Sequence, residues 1–306
     1  MLTRFQNAQV RDLVWVMAAP GLLENADWVI SDDECQQLLN QAMPQLQALD
    51  SQPDALHAWI AARNPQRLGP YFEVLLGYWI THLIDASWFA ANQIVKAERI
   101  VTGEYDMLWR DAGGQINHWE AAVKFYLQID QTAGLAGYVG TMTRDRLDLK
   151  TARLRDKQLQ LSTTPAGAAA LDNILPVENQ SHPVRARALL KGWLFYPRNV
   201  PHPLTDGLSP IHLSGWWARW AAHDFSLPAN LHWRVLDRLA WLSPVIAADT
   251  VNLLTEAEFM GSLSTHFAAE GAPLLVVGLS QNSHGWQEMT RGFIVPLMWG
   301  AGHSST

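Results

Sequence analysis

Three charged side chains lie inside runs of otherwise apolar sequence. Asp106 falls within Gly103-Glu104-Tyr105-Asp106-Met107-Leu108-Trp109-Arg110, and Glu120 and Lys124 fall within His118-Trp119-Glu120-Ala121-Ala122-Val123-Lys124-Phe125-Tyr126-Leu127. Burying a charge without a partner costs several kcal/mol or more, so charges in such runs call for a reason. Two acids and an ammonium are the inventory of metal-assisted phosphodiester hydrolysis. A magnesium ion takes one or two carboxylates and completes its shell with water and phosphate oxygens. It neutralises developing charge and activates a water, while a nearby lysine orients that water or holds the phosphate. Side chains alternate along a strand, so Glu120 and Lys124 point the same way and Glu104 shares a face with Asp106 as a rival ligand. His118 is assigned to the opposite face from Glu120, in a packing role.

The elements that must position these groups are legible in part. The two charged runs flank Asp111-Ala112-Gly113-Gly114, the expected sequence of an antiparallel hairpin. Ahead of it the chain reads as helical. The apolar run from Leu13 to Leu23, interrupted by Pro20, suits a buried helix and is too short to span a bilayer. Ser31-Asp32-Asp33-Glu34 has capping-box spacing and opens a helix that Pro44 should kink or end. Asp54 to Arg63 forms another, residues 64–70 break the pattern, and a long apolar helix is expected from about Tyr71 to Val95 with Glu73 in its first turn. There the helix macrodipole alone could favour Glu73.

Behind the hairpin, residues 134–141 suit a short strand or loop. Arg144 to Ser162 places Leu147, Thr151, Leu154, Gln158 and Leu161 at helical spacing. Between Arg144 and Lys157 six basic residues face three acidic ones, the clearest positive patch and a candidate phosphate-backbone contact. Residues 178–184 read as a loop and Ala188 to Tyr196 as a strand. Trp233 to Leu242 is ambiguous between strand and helix. A helix is expected over Leu253 to Ala269, and a second hairpin from Pro273–Leu279 and Trp286–Val295. A soft boundary near residues 163–185 divides the chain into 1–165 and a Trp-rich 166–306.

Composition sets the class. The chain has 306 residues, 48% hydrophobic and 17% charged, enough for a sizeable core. Its 15 tryptophans are expected mainly in cores, Trp216, Trp217 and Trp220 among them. The net charge of −7 argues against a uniformly basic nucleic-acid coat but permits a local basic groove. A single cysteine, Cys35, rules out an internal disulfide or a Cys-rich zinc site and fits a reducing, cytoplasmic setting. No GxGxxG, GxxxxGK[ST], G-x-S-x-G or H-E-x-x-H motif occurs, so dehydrogenase, P-loop, hydrolase-elbow and zincin readings lack support.

The Gly-Glu-Tyr-Asp strand, followed by an acidic strand ending in lysine, resembles the core of the PD-(D/E)XK nuclease superfamily over about residues 67–162. More of the chain resembles an uncharacterised bacterial family, catalogued as a domain of unknown function and placed in that superfamily. The matching runs are Leu68-Gly69-Pro70-Tyr71-Phe72-Glu73, the Gly-Glu-x-Asp strand, residues 118–127, Asp145-Arg146-Leu147-Asp148-Leu149-Lys150, Lys191-Gly192-Trp193-Leu194-Phe195-Tyr196-Pro197 and Arg291-Gly292-Phe293-Ile294-Val295-Pro296.

The resemblance implies an α/β fold: a three-layer α/β/α restriction-endonuclease-like core with N-terminal helices and a C-terminal α+β half. It implies a Mg²⁺- or Mn²⁺-dependent nuclease in which Asp106, Glu120 and Glu73 bind metal and Lys124 completes the catalytic set. Arg146, Lys150, Arg153 and Gln158 would then contact nucleic acid. The superfamily spaces its acid and lysine as E-x-K, whereas three residues separate Glu120 from Lys124 here. Two residues of strand advance ~7 Å and four advance ~13 Å. Either Lys124 reaches back or a β-bulge shortens the gap, or Lys124 holds the family position and Ala122 stands where the acid should be. The second register implies a degenerate site, and with it a nuclease-like module that binds nucleic acid or protein without cutting.

Overall fold

A computed structural model describes residues 1–176, 183–221, 225–246, 252–283 and 285–300. The first helix, α1 (Ala8–Ala18), is capped by Asn7, whose side chain accepts from the amides of Gln9 and Val10. It is buried along Val10 to Met17. Asp12 anchors it to distant parts of the chain: Oδ1 accepts from Ser243 N (3.1 Å) and Ser243 Oγ (2.5 Å), and Oδ2 accepts from the Tyr71 hydroxyl (3.0 Å). Burial pushes its carboxyl up to about 6 against these stabilising bonds. Helix α2 (Asp32–Ser51) starts at the expected Ser31 cap with three acids in its first turn. It runs through Pro44 instead of stopping there, because Cys35, Leu39, Ala42 and Leu46 form a buried stripe on both sides of the proline. Helix α3 (Asp54–Arg63) ends at Asn64, in the left-handed conformation.

The long helix expected from Tyr71 to Val95 is not formed. Helix α4 (Leu68–Tyr78) passes into a π-helical turn over Trp79–Leu83, and Asp85 turns the chain at φ 57°. Residues Trp88–Ala97 are strand β1, paired antiparallel with β2 (Ile100–Arg110). Cross-strand pairing has overridden an apolar run whose local pattern suits either structure.

The expected hairpin follows. Strand β3 (Ile116–Gln128) pairs antiparallel with β2 across a turn in which Asp111 Oδ1 accepts from Gln115 N at 3.0 Å and Gly114 adopts φ 87°. Residues 134–141 supply a short strand, β4 (Tyr138–Gly140), on the far end of β3. Helix α5 (Leu147–Arg153) continues as a π-helical segment over Leu154–Gln158, and α6 (Pro165–Ile174) starts at a Thr164 cap. The regular helix expected over Arg144–Ser162 is therefore shorter and underwound over its last turn.

Strand β5 (Val184–Pro197) lies parallel to β3 in unbroken register from Ile116/Val184 to Leu127/Phe195. Strand β6 (Leu213–Arg219) continues the parallel set, β7 (His232–Val235) and α7 (Glu256–Ala268) follow, and β8 (Leu274–Asn282) with β9 (Gly285–Val295) makes the second expected hairpin. Trp233 thus belongs to a strand. The order across the nine-stranded sheet is β1-β2-β3-β5-β6-β9-β8-β7, with β4 paired to β3. One sheet is shared by residues 1–165 and 166–306. The loop expected at 178–184 falls mostly outside the described residues.

Side chains of β3 alternate between two cores. Trp119, Ala121, Val123, Phe125 and Leu127 pack with α1, α2 and α4, while Ala122 and Tyr126 pack with Leu147, Leu154 and Leu159 around α5. Trp217 and Trp220 are buried as expected, and Trp216 is half-buried, its Nε1 donating to Thr290 Oγ1 at 2.8 Å. The mixed α/β architecture expected from sequence is present. Among the described residues no helix is long and apolar enough to cross a membrane.

Candidate functional site

The β2–β3 ladder ends at Met107/Trp119, and Asp106 is the next residue along. With the strands parting there, the side chain replaces the ladder: Asp106 Oδ2 accepts from Ala121 N at 3.0 Å. Alternation along β2 slips at this point, since Tyr105 and Leu108 reach one core while Met107 and Trp109 reach the other. The slip turns Asp106 in against β3, and Glu120 stands beside it.

Glu120 is fully buried. His118 Nε2–H donates to its Oε1 at 2.9 Å, and Gln158 Nε2 donates to its Oε2. His118 therefore shares the Glu120 face, correcting the expectation that it points away; residues two apart on a strand must do so. Burial holds the His118 ring well below its usual range, at about 4, so it is neutral and serves as a donor. Its Nδ1 has no hydrogen-bond partner among the described residues.

The two strand acids titrate as a pair. Burial raises Asp106 first, and the Glu120 charge raises it further. Burial likewise raises Glu120, and a hydrogen bond between the two carboxyls lets them share a proton. Glu73 lies half-buried across the gap on α4. Burial, then the charges of Asp106, Glu104 and Glu120, push it up to about 7. It does not occupy a helix first turn, because α4 begins at Leu68 and has no acid there. The macrodipole thus does not account for it. Glu104 is exposed at the rim.

The cations divide differently from expectation. Lys124 Nζ meets Asp145 Oδ2 at 2.5 Å, and Asp145 Oδ1 accepts from Tyr126 OH at 3.0 Å. No bulge interrupts the β3–β5 register, so nothing shortens the step from Glu120 to Lys124. Lys150, on α5, donates to Gln158 Oε1 at 3.2 Å, and its ammonium pulls all three carboxyls back down. Burial, then the Lys124 charge, lowers Lys150 itself. Arg146 is tied to its neighbour Asp148 at 2.9 and 2.6 Å. Arg153, Lys157 and Gln158 instead line a cleft of about 410 Å³ together with Glu104 and Asp106.

Of the nominated residues, the fold brings together Glu73, Asp106, Glu120, Lys150 and Gln158, sets Arg153 at the cleft, and engages Lys124 and Arg146 elsewhere. Two carboxylates side by side, both raised in pKa by burial, make a hard-oxygen donor set suited to a divalent ion that keeps water and phosphate ligands. Among the described residues no three acidic, histidine or cysteine side chains stand close enough to hold one ion together. Two of the Glu120 partners were readable in advance. His118 lies one pleat away, and Gln158 falls at helical spacing with Leu147, Leu154 and Leu161.

A mixed α/β protein carrying a buried pair of strand carboxylates with a helix-borne lysine beside them is the class that this fold and site define. The chain belongs to the family described as Domain of unknown function (DUF1853), which it matches over residues 11–295. No curated protein and no solved structure matches it.

Proposed function

We propose that the protein is a metal-dependent phosphodiesterase of the PD-(D/E)XK type acting on nucleic acid, with β1–β3, β5 and the helices on either face as its restriction-endonuclease-like core. The observation that carries this reading is the Asp106–Glu120 pair, two acids from separate strands placed together where those strands part. Asp106 and Glu120 would hold a Mg²⁺ or Mn²⁺ ion, which when bound would neutralise phosphate charge and activate a water. Glu73, whose carboxyl is raised by burial and then by the charges of Asp106, Glu104 and Glu120, would orient water. His118 and Gln158 fix the Glu120 carboxylate so that it meets its ligand without rearranging. The phosphodiester backbone would enter along the cleft edge at Arg153 and Lys157.

Purified protein should cleave DNA or RNA when supplied with Mg²⁺ or Mn²⁺, and Asp106→Ala should abolish the cleavage. Equal cleavage by the two proteins would point to a contaminant and defeat the reading. One observation favours a non-cutting, nucleic-acid- or protein-binding module: each oxygen of Glu120 already has a donor. Calorimetric titration with Mn²⁺ separates the two, because a module without catalysis should give no heat that Asp106→Ala removes.

A further inference from the structure

We infer that Lys150, on helix α5, and not Lys124, on strand β3, is the ammonium that meets the phosphate at the Asp106–Glu120 pair; the inference rests on the phosphodiesterase reading above. Position along β3 sets the strand lysine two pleats from Glu120, and its ammonium is committed to another carboxylate. Four residues of regular strand separate Lys124 from Glu120, ~13 Å of rise, and the unbroken pairing with β5 allows no contraction. Lys124 Nζ is also held by Asp145, which Tyr126 fixes from its other side. Withdrawing Lys124 would leave that Asp145 without its cation.

Lys150 has the reverse situation. It is half-buried, and Leu147 and Leu154, both buried, anchor its helix against the sheet. The Gln158 side chain bridges it to the dyad: the amide oxygen accepts from Lys150 Nζ and the amide nitrogen donates to Glu120. An ammonium has three donors, and Gln158 engages one, leaving others for the non-bridging oxygens of a phosphate. Gln158 and Asp106 together line the cleft that Arg153 and Lys157 border, so a backbone following those two cations arrives at Gln158, the side chain to which Lys150 is bonded. The charge of Lys150 acts on Glu73, Asp106 and Glu120 alike, lowering each carboxyl. Its role is electrostatic: to stabilise the charge that accumulates on the phosphate as the bond to the leaving oxygen breaks.

The test compares the full-length wild type with Lys150→Met, Lys150→Arg and Lys124→Met by two measurements. One is anisotropy of a labelled oligonucleotide in EDTA; the other is cleavage of the same oligonucleotide with Mn²⁺. Lys150→Met should lower cleavage ~100-fold or more, as loss of a transition-state donor does, and weaken metal-free binding ~5-fold, as loss of one phosphate contact does. Lys150→Arg should recover the binding, which a purely structural role would not require. Lys124→Met should change each quantity by less than ~3-fold, as expected for a solvent-exposed pair. Equal losses in Lys124→Met and Lys150→Met, or wild-type behaviour of Lys150→Met, would overturn the assignment. If thermal melting shows that Lys150→Met is unfolded, Lys150→Gln, which keeps a donor for Gln158 without the charge, decides in its place. Wild type that binds but does not cut would defeat the phosphodiesterase reading while the binding arm still assigns the lysine. Wild type that neither binds nor cuts would defeat both.

Discussion

Replacing Asp12 by Asn should remove a pH dependence from the stability of the whole protein. Asp12 is 6% exposed and its carboxyl lies at about 6, against an ordinary 3.8. Burial dominates over the hydrogen bonds from Ser243 and Tyr71, so the folded state holds the proton more tightly than the unfolded chain does. Stability from this group is therefore complete below about pH 4 and lost as pH rises through about 6. The gap between the two pKa values corresponds to ~3 kcal/mol. Asparagine is isosteric and keeps every contact: its oxygen accepts from Ser243 N and Oγ, and its amide donates to the Tyr71 oxygen. Urea unfolding followed by tryptophan fluorescence should place wild type and Asp12→Asn close together at pH 4. At pH 8 the variant should be more stable by ~3 kcal/mol, a midpoint shift of roughly 1 M for m near 3 kcal/mol/M. Parallel curves from pH 4 to 8, or a wild type that gains on the variant as pH rises, would refute the argument.

Other consequences concern the seams of the sheet. Gly192→Ala should cost ~3 kcal/mol or more in thermal or urea unfolding, because φ is +150° and a Cβ there would lie 1.8 Å from the Lys124 carbonyl oxygen; a loss under about 1 kcal/mol would mean that β3 and β5 are less tightly apposed. Lys191 is 1% exposed and donates to Ala19 O (2.6 Å) and Asp32 Oδ1 (3.1 Å), so Lys191→Met should destabilise by ~2 kcal/mol, with partial recovery on adding Asp32→Asn. Additive losses in the double variant would show that the pair is not coupled. Arg291 reaches Glu288, Trp241 O and Ser243 O and lies over the Trp193 ring at 4.5 Å. Arg291→Lys should cost ~2 kcal/mol by urea unfolding, since a point charge cannot make that fork, and a neutral result would contradict it.

What sequence revealed of this protein is what short-range physics decides. The Ser31 cap, the span of α3 and the two hairpins depend on residues near one another, and each occurs as expected. The passage from Tyr71 to Val95 reads as one helix although its apolar pattern suits helix and strand alike. Which form wins at Trp88 depends on β2, not on the passage itself. The parallel pairing of β3 with β5 joins residues 68 apart in the chain and leaves no local trace. The site shows the same division. The embedded charges of Asp106 and Glu120 announced a convergence, and strand alternation alone places His118 with Glu120. Whether Lys124 or Lys150 lies near them depends on how α5 docks, which its own spelling does not determine.

The seating of β3 between β2 and β5 has a bearing on how the molecule comes into being. Every acid of the dyad is synthesised within the first 120 residues, yet the strand bearing Glu120 gains its parallel neighbour only once residues 184–197 have emerged. Until then β3 presents a long row of unsatisfied amides and carbonyls on one side, the sort of edge that invites stray association. A fragment ending near residue 165 would carry the whole carboxylate pair on an unfinished border. Excising that fragment should yield an aggregating polypeptide, not a miniature of the parent.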